Sequence, residues 1–199
     1  MAPRFKKLFF PLIFISVILF FFCFNLLQQE IFLKKQSSNF NDFAVKAEEK
    51  NCEQRIEEKI VKGDSLSPIL EPGQTVKIDF NYYNCNEIKK GDIIAFKYSK
   101  NIDPLVKIVK GLPGDSFRLE KKESKWSILI NDKIIKNSEG NPYVLSEQRQ
   151  KMLSLYERDY QGKIPSEAFL VLGNKVSGTI DSSFFGLVDK SSILGKVNF

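Results

Sequence analysis

Histidine is absent from the 199-residue chain. That absence removes the Ser-His-Asp triad, the Cys-His pair and every histidine-ligated metal centre, so any general base must be Lys, Asp, Glu or Tyr. Cysteine is scarce: Cys23, Cys52 and Cys85 form no C-x-x-C pair, and neither a zinc knuckle nor a dithiol redox motif follows from their spacing. Cys52 and Cys85 leave two readings open, one disulfide in an oxidising compartment or two free thiols. Glycine-rich phosphate loops are missing too, since neither a P-loop nor G-x-G-x-x-G occurs. There is no internal repeat and no low-complexity tract. The net charge is +6, but the 30 basic and 24 acidic residues are interspersed without a basic run or an aromatic-basic stripe. The charge therefore reads as solvated surface, and nucleic acid is not an expected partner.

What is present is apolar in two different ways. Residues 8–27 are interrupted only by Pro11, Ser16 and Asn25, long enough at about 1.5 Å per residue to cross a hydrocarbon core of about 30 Å. Arg4, Lys6 and Lys7 precede this run, which points residues 1–7 into the cytoplasm. A cleaved signal would have a shorter apolar core, about 7–15 residues, and a small-x-small site, which does not follow Leu27, so an uncleaved single-pass anchor is expected. Residues 28–55 are polar and charged and suit a tether. The remainder, 56–199, is then an exported domain on the periplasmic or extracellular side of the cell membrane.

In that domain the apolar residues come in short runs rich in Val, Ile and Phe, bounded by Gly, Pro, Asn and Asp. Strands are expected at 75–79, 93–97, 105–109, 117–120, 126–130, 168–172, 185–188 and 193–197. Pro113-Gly114-Asp115 and Asn131-Asp132 mark turns between them. Residues 146–160, rich in Glu, Gln, Arg, Lys, Met and Leu and closed by Gly162 and Pro165, predict one inserted helix. The fold class is mainly β.

Two residues carry chemistry without histidine. Ser65 follows the apolar pair Ile60-Val61, where a strand ends and the Pro68 turn begins, a place that exposes a hydroxyl. Lys107 sits inside the apolar run Leu105-Val106-Lys107-Ile108-Val109. On a strand, Leu105, Lys107 and Val109 share one face, while Val106, Ile108 and Lys110 share the other. Burial of a lysine disfavours its charged form, and a neutral amine is a usable base.

Three segments in order resemble the signal peptidase I family of Ser-Lys proteases. They are Ser65-Leu66-Ser67-Pro68; Lys107-Ile108-Val109 with Gly111-Leu112-Pro113-Gly114-Asp115; and Gly173-Asn174-Lys175 with Thr179-Ile180-Asp181-Ser182-Ser183. Gly91-Asp92-Ile93-Ile94 matches a further family strand, and the likeness runs from about 62 to 197. The resemblance implies a signal-peptidase-like β fold behind an N-terminal transmembrane helix. It also implies Ser65 as nucleophile, Lys107 as its base, the Ser65 N–H in the oxyanion hole, Thr179 orienting the Lys107 amine, and no cofactor or metal. Its substrates would be exported preproteins with small residues before the cut, met at the lipid bilayer.

Departures from the family pattern are specific. Leu66 replaces Met, Ile69 a frequent Thr, Ile108 an Arg, and Gly63 offers no hydroxyl as a second oxyanion donor. Asn174 stands for Asp, and Ser183 for the Arg that would pair with Asp181, so an ion pair is expected to be lost there. Asp181 is left to hydrogen bonds or to solvent. Three readings follow: a general signal peptidase, a dedicated maturation peptidase for pilin or conjugation proteins, and an inactive membrane-tethered scaffold of the same fold.

Overall fold

The computed structural model describes residues 28–30, 34, 52–99 and 103–199. The span expected at 8–27 lies outside the described residues, as does most of the tether; among the described residues no helix is long and apolar enough to cross a membrane. Lys50–Phe199 forms one compact unit, mainly β, built from two antiparallel sheets.

The larger sheet contains β1 (Ile56–Ile60), β2 (Thr75–Asp79), β3 (Ile93–Phe96), β4 (Leu105–Gly111), β9 (Ala168–Leu172), β10 (Val188–Asp189) and β11 (Ile193–Asn198), in the order β1-β2-β11-β3-β4-β9-β10. The smaller sheet pairs β5 (Phe117–Lys122) with β6 (Lys125–Ile130), and β6 with β7 (Lys133–Ile134) and β8 (Val144–Leu145). Asn131 and Asp132 both have positive φ, 49° and 59°, and form the two-residue turn between β6 and β7. Short polar side chains tolerate this left-handed backbone, which matches the twist of the strands it joins.

The centre of the larger sheet is buried on both faces, which is why its strands read as continuous apolar runs. Ile93, Ala95, Val106 and Ile108 pack with Leu66 and Leu70, beneath the loop that carries Ser65. Ile94, Phe96, Leu105 and Val109 pack on the other side with Phe169 and Val171. The alternation expected for β4 therefore holds as far as Val109. There a bulge intervenes, for Val109 pairs with Val171 and Gly111 with Leu170, leaving Lys110 as the extra residue. A Cβ at Gly111 would stand 2.5 Å from Ile164 Cδ1 and 3.1 Å from Leu170 Cβ, so a larger residue in the bulge requires the Ile164 side chain to move.

Among the described residues three α-helices, α1 (Tyr82–Cys85), α2 (Glu147–Asp159) and α3 (Ser182–Phe185), and a short 3-10 helix (Lys190–Ser192) complete the unit. The expected inserted helix is α2, capped by Ser146, with Leu153 buried in the core of the smaller sheet. Residues 185–188 do not form the strand expected of them. The Asp181 side chain accepts from Ser183 N and starts α3; Gly186, at φ 95°, ends it, and only Val188–Asp189 pair with β9. Cys52 and Cys85 are disulfide-bonded, which decides between the two readings left open by the sequence.

Candidate active site

Ser65 lies in the loop between β1 and β2. Turn hydrogen bonds from Ser67 N to Asp64 O and from Ile69 N to Leu66 O close this loop. Buried Leu66 and Leu70 then pin it to the core, each contributing about 2 kcal/mol. The Ser65 carbonyl accepts from Asn174 N at 2.7 Å and from Lys175 N at 3.3 Å. A Cβ at Gly173 would lie 2.8 Å from Ser65 O and 2.8 Å from Thr179 Cγ2, so glycine is what lets these two segments meet. Gly63 is exposed, with nothing within 4 Å of the place a Cβ would take.

Lys107 reaches the loop from β4. Its Nζ donates to Ser65 Oγ at 2.8 Å and to Val106 O at 2.8 Å, and the residue is only 4% exposed. Burial lowers its pKa from 10.5 to about 8, against an opposing pull from the Asp181 charge. Lys110, the bulge residue, turns elsewhere: its Nζ donates to Lys136 O at 2.9 Å and lies 5.5 Å from the Tyr143 ring centroid.

Asp181 is 2% exposed and fully engaged. It accepts from Gly173 N (3.0 Å), Ser183 N (3.0 Å), Ser183 Oγ (2.6 Å) and Thr179 Oγ1. The Thr179 hydroxyl thus lies on Asp181, and among the described residues it makes no hydrogen bond to Lys107, the contact implied by the family pattern. The ion pair with residue 183 is lost, as Ser183 implies, but an arginine from elsewhere in the chain takes its place on Asp181. Arg149, from α2, places Nη1 3.6 Å from Asp181 Oδ1 and donates to Ser183 Oγ at 2.5 Å. The carboxylate is turned away from bulk solvent, at 2% exposure.

Asn174, fully buried, is a clamp that sequence reasoning noticed only as a departure. Its Nδ2 donates to Ser67 O (3.0 Å) and Ser138 Oγ (2.8 Å), and its Oδ1 accepts from Ser138 N (2.9 Å). Tyr143 was missed: its hydroxyl donates to Gly173 O at 2.6 Å, and burial, with the nearby Asp181 charge, raises its pKa and keeps it protonated. No local sequence signal marks Arg149, since it sits in a helix read only by composition. The assembled site therefore offers a hydroxyl in hydrogen-bond contact with a buried amine and a carboxylate near enough to act on that amine.

Comparison with known proteins bears on what such a site does. Residues 54–199 match the family described as "Signal peptidase, peptidase S26". A curated signal peptidase IB from Staphylococcus aureus is 31% identical over 150 residues, covering 70% of this chain and 74% of that one. A signal peptidase I from Bacillus caldolyticus is 32% identical over 148 residues, covering 70% and 76%. A crystal structure of a signal peptidase I from Enterococcus faecalis V583 aligns with a TM-score of 0.36 at 22% identity, covering 57% of this chain and 98% of that one. With the family match spanning most of its length and relatives above 30% identity, the chain belongs to the signal peptidase I family.

Proposed function

We propose that this chain is a membrane-anchored serine endopeptidase that removes signal peptides from exported preproteins, with Ser65 as nucleophile and Lys107 as general base. The observation that carries the reading is the 2.8 Å contact between Lys107 Nζ and Ser65 Oγ, made by a lysine that the core has all but removed from water. As a free amine, Lys107 takes the Ser65 proton while Oγ attacks the scissile carbonyl. The C–N bond then breaks, and the same proton passes to the leaving amine. A water molecule, deprotonated by Lys107, releases the acyl group from Ser65.

The Ser65 N–H serves the oxyanion, and Gly63 adds no hydroxyl to it. Small residues before the cut are the preference this reading carries. The apolar segment 8–27 anchors the enzyme with residues 1–7 in the cytoplasm and the catalytic domain outside. The Cys52–Cys85 disulfide supports that side, because such bonds persist in oxidising compartments.

The test is cleavage of a preprotein by the full chain in detergent, with Ser65→Ala and Lys107→Ala alongside. Both variants are expected to lose cleavage while remaining folded; full activity in either overturns the pair. With Lys107 titrating at about 8, about a tenth of it is free amine at pH 7. The value of kcat/KM should therefore climb nearly tenfold from pH 6 to 7 and level off above pH 8.

A further inference from the structure

We propose that Arg149, delivered by α2, is a positioning residue for the Ser65–Lys107 pair: it holds the Asp181 carboxylate and offsets its charge, so that Lys107 reaches the free-amine state. The inference rests on the Ser-Lys reading above.

Three contacts fix the guanidinium. It donates to Ser183 Oγ, pairs with Asp181 Oδ1, and lies 5.7 Å from the Phe184 ring centroid. Its side chain is 18% exposed, against 3% for Asp181, so the pair is only partly screened by solvent. Arg149 is also badly placed for its own helix. Its N–H is the one capped by Ser146 Oγ, which puts a cation in the first turn, where the helix dipole disfavours positive charge and a capping box would carry Glu or Gln. A residue that breaks a local rule is expected to be compensated by a contact elsewhere, and here that contact is the Asp181 loop.

The helix is fastened so that Arg149 stays in place. At its far end the Tyr156 ring fills the space over Gly186, where any Cβ would collide with it. Glu157 Oε1 accepts from Leu119 N at 3.2 Å, and Leu153 is fully buried. The segment between β8 and β9 thus delivers its arginine from a rigid support.

The charges around Lys107 make the consequence definite. Asp181 is the charge that acts on Lys107, and it favours the ammonium form. The four donors on Asp181 other than Arg149 are neutral. Asp64 and Lys175, near the Ser65 carbonyl, pair with each other. Lys110 is turned to Lys136 O, and Tyr143 keeps its proton on Gly173 O. Removing Arg149 therefore leaves one uncompensated negative charge beside a buried amine, and more Lys107 is held as ammonium at neutral pH.

The experiment uses the full chain in detergent with 13C-labelled lysine, following the Lys107 Cε resonance, assigned by its disappearance in Lys107→Met. Arg149→Met should move the Lys107 titration and the rising limb of kcat/KM to higher pH together, by about one unit, or about tenfold in rate at neutral pH. Arg149→Lys should recover most of the shift, Asp181→Asn should move the limb the opposite way, and Arg149→Met with Asp181→Asn should return it toward the native position. Should Arg149→Met fail to fold, Arg149→Gln keeps a donor for Ser183 Oγ without the charge and is read in the same way. An unmoved Lys107 titration in the folded neutral variant, or a loss of rate equal at every pH, overturns the proposal. A native chain that cuts no preprotein sinks the peptidase reading instead, while the Lys107 resonance still decides the role of Arg149.

Discussion

The two flanks of the site are held by different means. On the Ser65 side the acceptors are main-chain carbonyls: Ser65 O takes Asn174 N and Lys175 N, and Ser67 O takes the Asn174 amide. On the Asp181 side the acceptor is a carboxylate, and its partners include Thr179, Ser183 and Arg149 side chains from two separate stretches of chain. Main-chain fastening fixes where Ser65 Oγ stands regardless of charge. Side-chain fastening lets a distant residue set the charge felt by Lys107. Placement of Ser65 and tuning of Lys107, the proposed nucleophile and base, are thus separable, and substitutions on the two flanks should fail differently.

The largest expected effect on the Ser65 flank comes from Asn174→Asp, which restores the residue of the family pattern. The change exchanges the donor on Ser67 O for a second oxygen inside a fully buried site. At neutral pH this should cost about 3 kcal/mol, an unsatisfied carbonyl plus a buried charge. Protonation restores a donor to Ser67 O, so the folded-state pKa of the new carboxyl lies above its unfolded value. The penalty is then small at low pH and grows as pH rises through the folded pKa. Denaturant midpoints at pH 4 and pH 7 check this; equal losses at both would show that Ser67 O does not depend on this donor.

Thr179→Val tests the other flank with a smaller effect. It removes one of five partners of Asp181 and keeps the side-chain volume, for about 1 kcal/mol of stability. Its kcat should stay within about tenfold of native, because Lys107 donates its hydrogen bonds to Ser65 Oγ and Val106 O rather than to Thr179. A collapse in kcat with stability intact would return Thr179 to the Lys107 amine and break the division between the flanks.

The same division explains what the sequence made legible. Ser65 and Lys107 were findable because the segments around them carry conformational demands: Pro68 in the turn after Ser65, Gly173 where Ser65 O approaches, and Gly114 at φ 81° in the turn after β4, where Asp115 accepts from Leu112 N. Such demands name residue types locally. Arg149 left no such mark, since its contact with Ser183 spans 34 positions and an arginine in a helix looks like solvated surface. Residues 185–188 read as a strand by apolar content, but the Asp181 cap and Gly186 override that propensity. The disulfide was likewise undecided by spacing, because the closeness of Cys52 and Cys85 depends on β1 lying against β2, with Phe80 N donating to Arg55 O and the Asn81 amide to Glu53 O.

Lys175→Ala should have the smallest effect of all. Lys175 contacts the Ser65 flank twice, through its N–H to Ser65 O and through its Nζ to the Asp64 carboxylate. Only the first survives the substitution. The second joins side chains that are 45% and 64% exposed, and ion pairs so open to water and salt contribute little. Asp64, whose pKa the Lys175 ammonium holds low, should return toward the ordinary carboxylate range, with thermal stability and kcat/KM unchanged and no new dependence on ionic strength. A clear loss of activity that high salt reproduces in the native chain would mean that a surface charge positions Ser65, and the main-chain account of that flank would have to be abandoned.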